Sequence, residues 1–457
     1  MDTGTRGKGI RKIAEKIFTP IRLAMLSFLV VILTGTLLLL LPVSTTADGA
    51  MSFIDALFTA TSATCVTGLT VNVVATDLTL FGHIVMLLLV QVGGLGFMSL
   101  SSAMYLFVKK KVSLRKRMHL SEDLSQTDMS DLKRMTFDIV RLTGIVELCG
   151  AVLLTAAFAR HYDFGTAVWY GVFHSVMAFC NSGFDIVSEN GTSLSMYSSD
   201  PFILIVIMLL IVFGGIGFVV ISDVVRTRRW KKLKLHTKIM ICMTGALILV
   251  GAVGFFAAEF SNPGTMGDMN VGEKILNSFF QSVTSRTAGF FTIDQNSMTG
   301  FSQSLTILLM FVGVCPGSTG GGIKTATLFV LLITVYATLR GRDQVVISRR
   351  SIGRETIAKA STVLTLAIGV AVVSMLGLSI ACGSDFTFGQ LLFEQVSAYA
   401  TVGLSRSVTP GLNIAGKIII ILDMYIGRIG SFGFFMAFVS PSQRRSGVKY
   451  PEAGIIL

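Results

Sequence analysis

The residues best suited to chemistry in this chain are four glycines that recur along it, at spacings of 115, 106 and 114 residues. Glycine permits backbone conformations that align successive carbonyl groups toward one axis. Four sets of such carbonyl oxygens can replace the water shell of a monovalent cation. The candidate ion-binding residues are each glycine and the two small, hydroxyl-bearing or apolar residues before it: Val66, Thr67, Gly68, Asn181, Ser182, Gly183, Thr287, Ala288, Gly289, Thr401, Val402 and Gly403.

A phenylalanine stands ten residues before each of these glycines, although phenylalanine makes up only 33 of the 457 residues. The phenylalanines are Phe58, Phe173, Phe279 and Phe393. A shared spacing of this kind indicates four copies of one structural unit. A single glycine in a membrane segment is more often a packing contact. Four aligned copies favour an ion pathway instead.

The composition describes an integral membrane protein. Hydrophobic residues make up 52% of the chain and charged residues 14%, and the mean hydropathy is +0.73. Several stretches of 18 or more residues carry no charge, which is about the length needed to cross ~30 Å of hydrocarbon as a helix. This composition excludes a soluble enzyme, a disulfide scaffold and a disordered regulator.

Eight apolar stretches lie in pairs around the four glycine segments. The first members follow basic stretches and the second members precede them: 23–41 with 84–108, 139–159 with 201–222, 239–258 with 305–339, and 360–384 with 418–440. We therefore predict an all-α polytopic membrane protein built from four tandem repeats. Each repeat consists of a span, a short re-entrant pore helix, a loop and a second span, giving eight transmembrane helices and four pore helices around one central pore.

The predicted segments follow from these stretches. They are a basic N-terminus 1–22, repeat 1 at 23–108, a loop 109–135, repeat 2 at 136–224, a loop 225–238, repeat 3 at 239–339 with an intramembrane loop 313–325, a loop 340–355, repeat 4 at 356–440 and a tail 441–457. Of the 38 Lys and Arg residues, 29 fall in the basic termini and loops. Their clustering predicts that both termini and these loops are cytoplasmic and that the protein lies in the cell membrane. No aromatic stacking platform accompanies them, so we expect no nucleic-acid partner.

The second span of repeat 3 is unusual because its middle is rich in glycine. Residues 313–325 contain five glycines and Pro316, and Lys324 is the one charge between residues 295 and 339. Such a sequence predicts a break in the helix at membrane depth. The alternative is a kink packed between helices. The spacing of its glycines and lysine does not match a phosphate-binding loop, and we expect no cofactor in this chain.

Charged residues inside spans are costly and are therefore candidates for function. Arg428 lies in the last span and could line the pathway, or it could pair with Asp423 or Glu147. Glu147 is interpreted as an ion-pair partner rather than a proton relay. His174 and Glu394 both lie nine residues before their glycine, and we expect them to stabilise the pore helices rather than to bind a metal.

Two further residue types have structural interpretations. Glycine clusters in the second spans are interpreted as helix packing; they begin at Gly93, Gly214 and Gly430. The six cysteines show no CxxC spacing and are expected to be free thiols.

Three motifs carry a family resemblance: Ala63–Leu69, Ser285–Phe290 and Gly317–Thr325. Over essentially its whole length the chain resembles the KtrB-type membrane subunit of the Ktr/Trk/HKT potassium transporter superfamily. The resemblance implies one chain that mimics the four subunits of a potassium channel, and the glycine at position 68 implies potassium as the ion. It also implies that Arg428 is a positive barrier in the pore and that the broken helix is a gate formed by Gly317, Ser318, Thr319, Gly320, Gly321, Gly322 and Lys324.

The resemblance further implies a homodimer that sits on a cytoplasmic ring of nucleotide-binding regulatory subunits of the KtrA type, with the tail around Lys449 at the dimer contact. The leading hypothesis is channel-like potassium uptake. The alternative is a secondary transporter that couples potassium to sodium or protons through Glu147, Asp423 and Arg428. An intramembrane enzyme is disfavoured because the spans lack a hydrolase or metalloprotease motif.

Overall fold

The computed structural model describes residues 20–46, 51–96, 125–188 and 190–438. These residues are predominantly helical. The helices are α1 Pro20–Leu39, α2 Phe53–Cys65, α3 Val74–Asp77, α4 Leu80–Gly96, α5 Ser125–Phe158, α6 Phe164–Cys180, α7 Pro201–Ile216, α8 Phe218–Thr227, α9 Leu235–Glu259, α10 Val271–Thr284, α11 Gly300–Phe311, α12 Thr325–Leu339, α13 Arg354–Cys382, α14 Phe388–Tyr399, α15 Ile414–Ile429 and α16 Ser431–Phe438.

Four helices among the described residues are long and apolar enough to cross a membrane: Ile21–Leu39, Thr136–Phe158, Leu235–Glu259 and Arg354–Cys382. The count rises to six if two sharply bent helix pairs are each taken as one span. Only 22–28% of the residues in the most apolar windows of these helices are buried, and Val30, Val152 and Ile380 are 61%, 62% and 85% accessible. Apolar surface of this extent requires a lipid environment. The chain is therefore a multi-pass membrane protein.

Two second spans that were predicted to be continuous are bent. The predicted span 201–222 divides at Gly217 into α7 and α8, which meet at 97°, and the predicted span 418–440 divides at Gly430 into α15 and α16, which meet at 94°. Gly217 and Gly430 have φ values of +86° and +82°, a region where a side chain is strained. The apolar composition continues across both glycines and conceals the break.

Other predicted segments extend beyond the described residues. Helix α4 is described to Gly96, so the remainder of the predicted span 84–108 lies outside them. The same holds for residues 1–19 of the basic N-terminus, most of the loop 109–135 and the tail 441–457.

The second span of repeat 3 is interrupted between α11 and α12, where the sequence predicted a break. Residues 312–324, here called the glycine loop, have no helix, and Val312 pairs with Ile323 in a single parallel bridge. Within the described residues, the exception to the all-α expectation is a small hairpin between α12 and α13. There β1 Val346–Ile347 pairs antiparallel with β2 Arg350–Ser351. Its turn residues Ser348 and Arg349 have positive φ without glycine, so no turn signal was present.

The short helices α2, α6, α10 and α14 lie at the centre of the fold. In α2 every residue from Phe58 to Cys65 is buried, and α6 is buried from Phe173 to Cys180. Each of the four begins with a side chain that accepts a hydrogen bond from a first-turn N–H: Ser52, Asp163, Asn270 and Thr387. Such caps stabilise helices too short to persist alone. The hydrogen bonds from Thr166 hold the pKa of Asp163 below its usual value.

The recurring phenylalanine is buried in three repeats and partly exposed in the third. Phe58, Phe173 and Phe393 are fully buried, whereas Phe279 is 38% exposed and its neighbour Phe280 is fully buried. Repeat 3 therefore has one residue fewer between its buried phenylalanine and its glycine. The helix of repeat 3 also ends earlier, since α10 ends five residues before Gly289 whereas α2 and α6 end three residues before their glycines.

The second spans pack closely against the short helices through glycine. A Cβ atom placed on Gly93, Gly214 or Gly427 would overlap the carbonyl oxygen of Thr64, Phe179 or Tyr399, each four residues before the recurring glycine. The residue of repeat 4 that matches Gly93 and Gly214 is thus Gly427. The expected match of Gly430 was wrong, because Gly430 is the bend and corresponds to Gly217. This alignment puts Arg428 in the column of Gly94 and Gly215.

Replacing Gly214 with alanine should lower stability, because the new methyl group would overlap the Phe179 carbonyl. Overpacking of this kind costs about 1–3 kcal/mol. The matched control is Gly245→Ala in α9, where a Cβ meets nothing within 4 Å. Thermal unfolding in detergent, followed by size-exclusion chromatography, measures both variants. Equal melting temperatures for Gly214→Ala and Gly245→Ala would contradict the packing assignment.

Candidate ion pathway

The four recurring glycines meet in a closed ring. A Cβ on Gly183 would lie 2.5 Å from the carbonyl oxygen of Ala288, and one on Gly289 would lie 2.5 Å from that of Val402. A Cβ on Gly68 would overlap the Ser182 oxygen, and one on Gly403 would overlap the Thr67 oxygen. Each ring glycine therefore lies against a carbonyl group of the next repeat, that of the residue directly before the glycine there. The contacts run from repeat 1 to 2, 2 to 3, 3 to 4 and back from 4 to 1.

The backbone on either side of the ring repeats the same conformation. The residue two before each glycine has left-handed φ, with values of 58°, 61°, 69° and 53° at Val66, Asn181, Thr287 and Thr401. The glycines themselves have φ between 70° and 98°. In repeats 1 and 4 the glycine N–H donates to a serine six residues earlier, at 3.1 Å to Ser62 and to Ser397. These serines share a column that the sequence analysis missed, although the sequence displays it.

A cavity of about 280 Å³ opens on one face of the ring. All four ring glycines line it, together with the loops that follow them. Asp185 is the charged residue among its lining residues, and both of its carboxylate oxygens accept backbone N–H groups, from Val187 at 3.0 Å and Ser188 at 2.9 Å. The ring is thus accessible from this side to a solute of the size of a hydrated ion.

The glycine loop covers the opposite face of the ring. The N–H of Gly321 donates to Oγ1 of Thr401 at 3.0 Å, and a Cβ on Gly320 would overlap the hydroxyl of Thr287. Both threonines are ring residues two before their glycines. Glycines are required in the loop because it approaches the ring this closely.

The loop is anchored to repeat 2 on its N-terminal side. Cys315 N–H donates to Gly215 O at 3.1 Å, and Phe218 N–H donates to Gly317 O at 3.1 Å. Thr319 is bonded twice to this repeat, through its N–H to Gly214 O at 3.3 Å and through its hydroxyl to Phe179 O at 3.3 Å. On the other side of the loop, Lys324 Nζ donates back to the carbonyls of Gly320 and Gly321.

Arg428 is fully buried and bridges the loop to repeat 1. Its Nη1 donates to the carbonyl of Thr319, and its Nη2 donates to the carbonyl of Gly93 at 2.7 Å. The acidic groups considered as its partners have other contacts. Asp423 accepts from Ser374 at 2.5 Å and Gln395 at 3.4 Å, and Glu147 accepts from Gln91 at 3.0 Å.

The other polar candidates have structural contacts in the described residues. His174 bonds Asp185, and Glu394 bonds Ser405 and Thr409. All six cysteines are free thiols, and the described part of the chain contains no group of three or more His, Cys, Asp or Glu side chains placed to hold a metal ion. Both His174 and Glu394 therefore connect the short helices to the segments after the ring glycines.

Comparison with known proteins identifies the family. The TrkH family, described as a cation transport protein, matches residues 18–447. The chain is 39% identical over 438 residues to Ktr system potassium uptake protein B of Bacillus subtilis, covering 96% of each chain. It is 36% identical to potassium/sodium uptake protein NtpJ of Enterococcus hirae, covering 98% of this chain and 99% of the relative. The crystal structure of the potassium transporter TrkH from Vibrio parahaemolyticus shares the fold, with a TM-score of 0.69 and 20% identity over 91% of this chain and 85% of that chain.

The multi-pass architecture and the full-length relatives define a cation transport protein, not an enzyme. More narrowly, the chain belongs to the TrkH family, which confirms the Ktr/Trk resemblance drawn from its three motifs.

Replacing Thr401 with valine should loosen the contact between the ring and the glycine loop, because the acceptor of the Gly321 N–H is lost. One hydrogen bond contributes about 1 kcal/mol, so amide exchange at residues 320–322 should accelerate roughly fivefold. Hydrogen–deuterium exchange with mass spectrometry measures this. Thr401→Ser keeps the hydroxyl and should exchange like the wild type; equal protection of Val and Ser variants would argue against the contact.

Proposed function

We propose that this chain carries potassium into the cell through a channel-like pathway whose selectivity filter is the four-glycine ring. The closed arrangement of the four glycines and the carbonyls before them is the observation that carries the proposal. The ion-binding residues are those of the ring segments, 66–68, 181–183, 287–289 and 401–403. Potassium is the ion because the B. subtilis relative is named a potassium uptake protein.

Helix orientation supports a cation as the substrate. The short helices end three to five residues before the ring glycines, so their C-termini point at the ring. A helix C-terminus carries about half a negative charge, which favours a cation nearby. The cavity on the open face admits the ion, and the buried backbone of the ring supplies carbonyl oxygens that no helix or sheet has used.

The glycine loop is proposed as the gate. It lies against two ring threonines on the face opposite the cavity, so an ion that passes the ring meets it next. The gating residues are Gly317, Ser318, Thr319, Gly320, Gly321, Gly322 and Lys324. Arg428 is proposed as the barrier, both through its positive charge in the path and through its bond to the loop at Thr319.

We propose eight crossings in the four repeats. The four long helices are the first spans; α4, the pair α7–α8, the interrupted pair α11–α12 and the pair α15–α16 are the second spans. The segment boundaries are those expected from the sequence, from the basic N-terminus 1–22 to the tail 441–457. The basic residues after α8 and between α12 and α13 are exposed, as a cytoplasmic location for them requires.

The partner assignment follows from the relatives. Those of B. subtilis and Vibrio alginolyticus are named as component B of a Ktr system. We propose that this chain likewise forms a homodimer on a cytoplasmic ring of KtrA-type nucleotide-binding subunits, which would set the position of the gate. No nucleic acid is involved, and no cofactor is needed besides the transported ion.

Potassium and sodium flux into proteoliposomes tests the proposal, and replacing Gly68 with serine tests the filter. The new side chain would overlap the Ser182 carbonyl and displace the ring. We expect the ratio of potassium to sodium flux to fall by about tenfold, which corresponds to about 1.4 kcal/mol. Gly144→Ser in α5, where a Cβ meets nothing within 4 Å, is the control. An unchanged ratio in Gly68→Ser would show that the ring is not the selective element.

Replacing Arg428 with glutamine should raise potassium flux severalfold, because both the barrier charge and the link to Thr319 are weakened. Arg428→Lys keeps the charge but loses the two-pronged hydrogen bonding, so its flux should lie between the wild type and the glutamine variant. The same flux assay compares the three proteins. A folded Arg428→Gln protein with flux at or below the wild-type level would refute the barrier.

A further inference from the structure

Three of the four repeats contain a hydrogen-bonded pair of polar side chains beside the ring. We call these the brace pairs: His174–Asp185, Gln281–Gln295 and Glu394–Ser405. In each pair the first residue lies on the short helix and the second lies after the ring glycine. The helix residue is fully buried in all three cases.

The helix residues occupy one structural position. His174 and Glu394 lie nine residues before their glycines, and Gln281 lies eight before because repeat 3 is one residue shorter there. Asp185 and Ser405 both follow their glycines by two residues. None of these six residues belongs to the proposed ion-binding segments, although Asp185 and Ser405 line the cavity beside the ring. Gln295 follows its glycine by six residues, but the helix members of the three pairs recur at one structural position, and this recurrence calls for a separate explanation.

The chemistry of the bond differs from pair to pair. His174 Nε2 lies 2.8 Å from Asp185 Oδ1, and His174 Nδ1 donates to Tyr170 O at 2.8 Å. Gln281 and Gln295 exchange two amide hydrogen bonds of 2.9 and 3.2 Å. Ser405 Oγ donates to both oxygens of Glu394 at 2.9 Å, and Thr409 adds a second hydroxyl.

The pair of repeat 2 also reaches the neighbouring repeat. The ring of His174 lies 6.2 Å from that of Phe290, the residue directly after Gly289. Asp185 in turn holds the N–H groups of Val187 and Ser188 in its own segment. Displacing His174 would therefore release the segments that follow two of the four ring glycines.

Repeat 1 lacks a brace. Its residue at the matching position is Thr59, nine before Gly68, and the Thr59 hydroxyl is buried with no hydrogen-bond partner among the described residues. The ionisable helix residues, His174 and Glu394, lie in repeats 2 and 4, which are opposite each other in the ring order.

We propose that the brace pairs are positioning residues that hold the ring glycines at the separation at which potassium is preferred over sodium. The inference rests on the proposed function of the ring. Groups that bind an ion must be held by a supporting layer of packed and hydrogen-bonded side chains. A pair that joins the short helix to the residues after the glycine supplies that support. The helix fixes the backbone before the glycine, and the pair fixes the backbone after it.

The test measures potassium and sodium flux for His174→Leu in proteoliposomes. Loss of the bond to Asp185 should lower the flux ratio of potassium to sodium by about tenfold, the size expected for one hydrogen bond to a charged group. His174→Gln introduces the side chain that repeat 3 uses and should retain part of the ratio. Thr59→Val is the matched control, since it alters the same position in the repeat without a brace, and should keep the wild-type ratio.

The outcomes separate the inference from the function on which it rests. Three outcomes would overturn the proposed role of the brace pairs. They are a wild-type flux ratio in folded His174→Leu, an equal fall of the potassium and sodium fluxes in that variant, and a fall of the ratio in Thr59→Val as large as in His174→Leu. Should His174→Leu not fold, Asp185→Asn decides in its place by the same criterion. In a double-mutant cycle, the ratio of potassium to sodium flux should be no lower in the His174→Leu, Asp185→Asn double variant than in His174→Leu alone. Wild-type protein without selective flux would instead refute the proposed function.

Discussion

The four ring glycines leave no space for a single additional carbon atom, and the rest of the fold conforms to that constraint. A Cβ on any of them would meet a carbonyl oxygen of the next repeat. Backbone this close, outside any helix, is unfavourable in a membrane unless protein surrounds it. That surrounding protein consists of the short helices with their caps and of the second spans, which pack on the short helices through Gly93, Gly214 and Gly427. The lipid-facing helices lie outside it.

The sequence was most informative about this ring. The four glycines and the break in the third repeat were predictable because both depend on residue types that few other structures tolerate. At Phe279 the column misses the buried phenylalanine, because Phe280 is one residue nearer to its glycine than the buried phenylalanines of the other repeats are, and a fixed spacing does not allow for such a change. The bends at Gly217 and Gly430 were missed because apolar residues continue on both sides. The contacts of the glycine loop could not be predicted, since they join residues from different repeats.

The four ring segments belong to one chain and need not have identical surroundings, and here they do not. Position 428 is arginine where repeats 1 and 2 have Gly94 and Gly215. The third repeat contributes the loop, and the braces are imidazole–carboxyl, amide–amide and carboxyl–hydroxyl in repeats 2, 3 and 4. An assembly of four identical subunits would place four arginines or four loops at the axis. A single chain can carry one arginine and one loop, because the sequence of each quarter of the ring can differ from the others.

The asymmetry extends into the glycine loop itself. The half from Cys315 to Thr319 is bonded at four points to repeat 2, through Gly214, Gly215, Phe218 and Phe179. The half from Gly320 to Lys324 lies against the hydroxyls of Thr287 and Thr401 and donates a hydrogen bond to the latter. Outside the ring, Ile323 N–H donates to Phe311 O, and Arg428 holds the junction at Thr319. Each neutral bond contributes about 1 kcal/mol, whereas shifting a two-state element from almost wholly closed to almost wholly open takes about 5.5 kcal/mol. Moving the second half alone costs fewer bonds than moving the whole loop. In the proposed gate, the motion should therefore begin at the three consecutive glycines 320–322 and leave the repeat 2 anchor in place.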